Sequence, residues 1–469
     1  MGYSRTTLVA AGTLLALSVS ASAQTPDTLA TDSIPDAPAP ARAPRNTATI
    51  TVTSGGGYNR VEGLPVLFGP VIETGLGTGR LRVSLLGIVR SAGTFRLASE
   101  NLGHDMKVAA LFDPAERTSL AARAYDIVDA VEDWQIPRDE AGLAAFFFRS
   151  DFRDHYGRHG ASLSATYAAS RRATLTASVA RERWHTREVR DVLTVFRNGK
   201  AWRPSPSMDE GLFRVATAGL EYDNRNDPRR PATGWLVRAE YELGSGRIDA
   251  FGAASENARS GSPSADTRYG RLFADARRYF RLSPTTQLSG RVVLGGWLHG
   301  EELPLQRRLS VSGVGAIPGI DFREPSLGPD VGQCSTAPAP AGDPAQCERA
   351  LLAQLEYRVG LKSRPGSIIG RTVRIRSRAF TLNPALVLFA DAGRGWLLDP
   401  RSNDIRANGT LAPRPRDLIY SASAIPPLGT FRTDIGIGVD LGLFGIYAAK
   451  SLSESGEPVN IFLRARRRF

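Results

Sequence analysis

The feature that most constrains this chain is a two-residue alternation that recurs in segments too long for ordinary soluble strands. Trp235, Val237, Ala239, Tyr241 and Leu243 alternate with Arg238, Glu240 and Glu242, with Leu236 the one exception. Ile435, Ile437, Val439 and Leu441 alternate with Asp434, Gly436, Gly438 and Asp440. Successive strand side chains point to opposite faces, so each segment presents one apolar and one polar or charged face. Candidate strands fall near 48–54, 60–73, 80–91, 104–113, 118–127, 158–168, 172–185, 211–223, 234–245, 267–279, 284–297, 348–361, 385–396, 430–441, 443–452 and 459–469. That is about 16, an even number, as single-chain bacterial barrels have. Many run to roughly 10–14 residues, against about 5–6 for soluble strands. The charged faces suit a wet lumen, and Trp235, Tyr241, Tyr279, Phe280, Trp297, Tyr357 and Trp396 lie near strand ends, where interfacial aromatic girdles form. The expected fold is all-β, a transmembrane antiparallel β-barrel. Past the N-terminus no stretch approaches the roughly 20 apolar residues of a membrane helix, and the longest apolar cluster is residues 141–148.

The intervals support the same architecture. Residues 138–160 do not alternate. Asp139, Glu140 and the Ala/Phe run after them predict a short helix in the lumen or at the barrel mouth. Long loops at 246–266, 298–347 and 397–429 alternate with short turns such as 282–284, the pattern of long loops on one side and tight turns on the other.

Residues 1–23 read as a secretory signal: Arg5 in the n-region, an apolar stretch over 6–19, and Ala21-Ser22-Ala23 before the cleavage point. Residues 24–47, with Pro35, Pro38, Pro40 and Pro44, read as a disordered linker too short for a periplasmic domain. The barrel is expected over 48–469. Net charge is +12, carried mainly by arginines scattered through alternating segments. With an export signal, that pattern argues against a nucleic-acid partner. Cys334 and Cys347, close together in a Pro/Gly-rich segment, read as a loop-closing disulfide of an exported protein.

Four stretches in order resemble the bacterial surface antigen family, the barrel of the BamA/TamA type. They are residues 220–228 (LEYDNRNDP) with 231–235 (PATGW), 307–313 (RRLSVSG) through 318–320 (PGI), 388–396 (LFADAGRGW), and the ending 461–469. The resemblance is strongest over 211–469. It implies a long extracellular loop that folds toward the lumen, with Gly313, Pro318, Gly319 and Ile320 at its motif. The family places an arginine before that glycine, reaching an acidic partner on the barrel wall. Pro318 stands there instead, without charge or N–H. The anchor must differ, with Arg323 the candidate, while Gly319 can supply a tight backbone turn. The cysteine pair falls where the family's loop can hold a disulfide. Insertases of this type carry soluble polypeptide-binding repeats before the barrel, and the chain resembles a branch without them.

Ile461, Leu463, Ala465 and Phe469 resemble the C-terminal signal read by the outer-membrane assembly machinery, which leaves Arg464, Arg466 and Arg468 toward the lumen. Asp275 with Arg277, and Asp391 with Arg394, form a candidate lumenal charge network, structural or anion-selecting. His155 and His159 near Asp151 and Asp154 could activate water, or form a polar helix tip at the mouth. No hydrolase or metalloprotease motif accompanies them, so the chain is not expected to be an enzyme, and no cofactor or metal is implied. Residues 223–228 lack the spaced ligands of a calcium loop and suit Asx-turn chemistry. Two functions stand: a membrane-assembly, insertion or secretion component, and a passive anion-selective channel. The expected location is the bacterial outer membrane. Expected partners are outer-membrane lipid and lipopolysaccharide, the assembly machinery, and client barrels or a separately encoded periplasmic subunit.

Overall fold

The computed structural model describes residues 46–469 apart from 56, 93–97, 114, 197–198, 200, 253–263, 321–346, 362–371, 376–377, 382–383, 399–418 and 443. The expected signal peptide and nearly all of the linker lie outside the described residues, as do Arg323 and Cys334.

Sixteen strands make the wall. They are β1 (Thr47–Ser54), β2 (Pro65–Leu76), β3 (Gly79–Arg90), β4 (Leu102–Leu111), β5 (Thr118–Ala130), β6 (His155–Ala168), β7 (Ala173–Thr186) and β8 (Glu210–Asp223). The second half holds β9 (Gly234–Ala250), β10 (Ala265–Arg281), β11 (Thr286–Gly300), β12 (Arg349–Gly360), β13 (Ala385–Leu398), β14 (Arg432–Asp440), β15 (Gly445–Ser451) and β16 (Asn460–Arg464). Each pairs antiparallel with the next from β1 to β16. Among the described residues no ladder joins β1 to β16, so the sheet is not closed there. A hairpin (Thr372–Ile375 with Arg378–Thr381) follows β12, and Ile419–Tyr420 adds two parallel residues beside the end of β13.

The wall is inverted relative to a soluble protein. Leu163, Val179, Leu355, Ile437 and Ile446 are exposed, with Leu163 at 61%. Asp275, Arg291, Asp391, Asp434 and Arg464 are buried. That inversion follows from strand parity: the apolar set faces outward and the charged set meets protein inside.

Two connections fill the interior. The β5–β6 loop carries helix α1 (Arg138–Phe148), which starts at Pro137, has Asp139 and Glu140 in its first turn, and ends on Arg149 in the left-handed conformation. First-turn acids complement the positive end of the helix dipole. Ile136, Ala141 and Val314 pack on Val387, Phe389, Tyr447, Ala449 and Phe462 of the wall. Leu309, Val311, Ala316, Ile317 and Ile320 of the β11–β12 loop pack on Val293, Ala350 and Leu352. These are two of the apolar core clusters among the described residues, and they lie inside the barrel.

Three expectations are corrected at strand ends. β2 begins at Pro65, because Asn59 folds the chain before it: its Oδ1 accepts from the N–H groups of Val61 (2.9 Å) and Glu62 (2.7 Å). His155 opens β6 and is no helix tip; its alternation is hidden because residues 153–157 are buried on both faces by neighbouring loops. The last ladder stops at Arg464, and residues 465–469 leave the sheet.

Candidate functional site

The β11–β12 loop enters the lumen through a turn at Leu305–Arg307. Arg307 is its anchor. Its Nε donates to Glu242 of β9 at 2.7 Å, a terminal nitrogen donates to the Tyr156 hydroxyl at 2.7 Å, and its guanidinium lies 4.4 Å from the Trp184 ring centre. Tyr269 donates to the same Glu242 carboxylate at 2.7 Å. A buried carboxylate with two donors and a cation is satisfied; alone it would be costly. Asp209, just before β8, holds the same turn through the N–H groups of Leu305 (2.9 Å) and Gly252 (3.0 Å). Burial pushes the Asp209 carboxyl up, and those two donors oppose the rise.

Past the anchor the loop runs against the β5–β6 loop. Ser310 gives its N–H and hydroxyl to Glu132 at 2.8 and 2.9 Å. The tip is a compact turn in which Gly313, at φ +80°, takes the left-handed conformation and donates to the Ile320 carbonyl at 3.0 Å. Gly319 sits in the tight turn closed by the Ile320 N–H on the Ile317 carbonyl (3.1 Å), as expected, and has a second task. A Cβ there would lie 2.7 Å from the Ser451 nitrogen and 2.8 Å from Asp434 Cβ, so glycine is needed for close approach to β14 and β15. Its N–H donates to Asp434 at 2.5 Å, and the Pro318 carbonyl accepts from Asn460 of β16 at 2.8 Å. Pro318 thus contributes its acceptor where the family resemblance would have placed a cation. Ile320 is buried in the loop's core cluster.

Of the expected charge network, Asp275 and Arg277 meet at 2.7 Å, and Arg291 joins them with two bonds to Asp275 (3.0 and 2.8 Å) and one to the Trp134 carbonyl (2.8 Å). Asp391 pairs with Arg468, whose guanidinium sits 3.7 Å over the Phe389 ring centre. Arg394 is not part of this group. It lies three positions from Asp391, hence on the opposite face, and donates to the Thr430 carbonyl (2.7 Å) and the Tyr420 hydroxyl (3.3 Å). Cys347 is buried and is not a free thiol.

The two lips of the open seam are held by α1. On one side Gly57, in the turn after β1, packs so closely on the helix that a Cβ at Gly142 would lie 2.7 Å from the Tyr58 nitrogen. On the other, Glu140 pairs with Arg464 of β16, and Asp139 pairs with Arg466. Ile461 and Leu463 face outward, 72% and 53% exposed, while Ala465 and Phe469 lie beyond the ladder. His155 is buried with its Nε2 3.1 Å from Asp151, which also meets Arg60 at 3.1 Å. Burial would raise the Asp151 carboxyl, but His155 and Arg60 hold it well below the usual range. His159 is apart from them, 59% exposed and 3.9 Å from Asp126. The pairs are spent on each other, tying the turn after β1 to the start of β6.

No family model matches the chain, and no curated protein matches it. Among solved structures, BamA from Haemophilus ducreyi lacking POTRA domains 1–3 aligns over 89% of this chain and 70% of that one, at 14% identity and a TM-score of 0.50. The fold is that of a BamA-type barrel. CdiB from Acinetobacter baumannii aligns over 89% of this chain and 58% of its own, at 9% identity and a TM-score of 0.34. CdiB from Escherichia coli aligns over 89% and 61%, at 12% identity and a TM-score of 0.34.

Proposed function

We propose that this chain is a bacterial outer-membrane barrel that acts in membrane-protein assembly, insertion or secretion, by non-enzymatic strand templating at its seam. The carrying observation is the pair of sheet edges: among the described residues β1 and β16 share no ladder, and β16 has only five residues against one neighbour. A free strand edge is a row of unmet N–H and C=O groups, and an incoming strand satisfies them by β-augmentation. Its partners under this reading are client barrels, outer-membrane lipid and a separately encoded periplasmic subunit.

The test is to lock the seam. Thr49→Cys with Leu463→Cys, joined by a short bis-maleimide, is expected to leave a folded, heat-modifiable barrel whose host loses other barrel proteins from its outer membrane. Normal barrel content with the lock in place would overturn the reading. The rival channel reading has its own test. Loop side chains pack the interior and the lumenal arginines Arg291, Arg307, Arg464 and Arg468 are each paired. The protein in a planar bilayer is expected to give a flat baseline, and a steady anion-selective current would establish the channel instead.

A further inference from the structure

Strand register sorts the outward face of β5–β10 into horizontal rows. One row is Ala122, Leu163, Val179, Ala216 and Leu243, paired strand to strand, with Leu163, Val179 and Leu243 exposed. Two residues nearer the long-loop end the row reads Ala161, Arg181, Arg214, Ser245 and Arg268. Two residues further it reads His159, Arg183, Leu212, Arg247 and Asp266.

The only charges in the middle row are the cations Arg181, Arg214 and Arg268. Parity sets its side chains outward, because Glu182, Phe213, Val215 and Tyr269 on the alternate positions are buried inside. Arg181, Arg214 and Arg268 are all exposed. Arg181 and Arg214 are direct cross-strand partners. Like charges placed directly opposite destabilise a sheet unless something lies between them. Among the described residues none of the three guanidiniums forms an ion pair; the Glu301 carboxylate nearby accepts from the backbone N–H of Arg268 at 2.6 Å. The row above is different, for Arg183 and Arg247 flank Asp249 at 3.4 and 3.7 Å. The row below is wholly apolar. A charge on the lipid face is costly at mid-membrane and cheap near the interface. The cationic row therefore marks the rim where apolar wall gives way to polar wall, and among the described residues no carboxylate answers it.

We propose that Arg181, Arg214 and Arg268 bind the phosphate groups of a phosphorylated lipid in the outer leaflet, whose acyl chains lie on the Leu163–Val179–Leu243 row. The charge complementarity is direct, since a guanidinium binds phosphate through two parallel N–H groups and stays charged at every working pH. This inference rests on the outer-membrane reading above.

The experiment uses the full chain, folded in detergent and titrated with bisphosphorylated lipid A, with dephosphorylated lipid A as the comparison, and bound lipid counted by native mass spectrometry. The intact protein is expected to prefer the phosphorylated form. Arg181→Gln with Arg214→Gln is expected to weaken it by about tenfold per arginine. Arg278→Gln, an outward arginine at the opposite end of β10, is expected to leave it unchanged. Equal affinity for both lipids, or the same loss in all variants, would overturn the proposal, as would displacement of the lipid by millimolar inorganic phosphate. The outer-membrane reading fails separately, if the folded protein does not insert into vesicles at all.

Discussion

Arg307→Ala is expected to free the β11–β12 loop from the lumen and to destabilise the barrel by about 3–5 kcal/mol, the cost of leaving a buried carboxylate without its cation. Glu242 would keep only the Tyr269 hydroxyl, and Tyr156 would lose the cation at its own oxygen. The readouts are a lower midpoint of denaturant unfolding and new protease cleavage in residues 305–320. Arg307→Lys is expected to recover part of the loss. Lysine restores charge but cannot bond Glu242 and Tyr156 in one planar fork while covering the Trp184 ring. Full stability in Arg307→Ala would show that Asp209 and Glu132 suffice to hold the loop.

Arg464→Ala is expected to act locally. It leaves Glu140 buried without a charge partner and removes the donor that reaches the Val314 carbonyl. The nominal cost is again about 3–5 kcal/mol, but β16 is a five-residue edge, so the strand is expected to detach before the barrel unfolds. Amide hydrogen exchange should quicken over residues 445–464 and stay slow over β6–β12. Glu140→Gln should reproduce the pattern. Exchange that rises evenly around the barrel would mean α1 is not what holds that lip.

The wall was legible in the sequence because parity and length are local properties. Each of the sixteen expected segments overlaps a wall strand. What failed did so where another force outranks alternation. Asn59 bends the chain ahead of β2 through its own side chain. Arg468 draws the last residues inward to the buried Asp391, and Arg466 meets Asp139 at the exposed helix start, where β16 has ended. Arg394 and Asp391 share a strand, but their odd spacing of three sets them on opposite faces, which parity alone shows.

The site was less legible. Parity places Glu242 and Asp434 inside, but nothing local says that Arg307 answers one and the Gly319 N–H the other. Those partners are 65 and 115 positions apart. The family resemblance pointed to the right loop; its candidate anchor, Arg323, lies outside the described residues, and among the described ones the loop is held by Arg307 before the turn and by backbone groups at its tip.

The packed interior also fixes an order of assembly. Glu140 meets Arg464 across 324 positions of chain, and Ser310 meets Glu132 across 178. Contacts of such separation require closure of very long chain loops before they return any energy, which makes folding slow. A plug made from the middle of the chain and tied to its last strand cannot be threaded into a finished cylinder. Refolding is therefore expected to be slow, with the long-range contacts between wall and plug among the late ones to form.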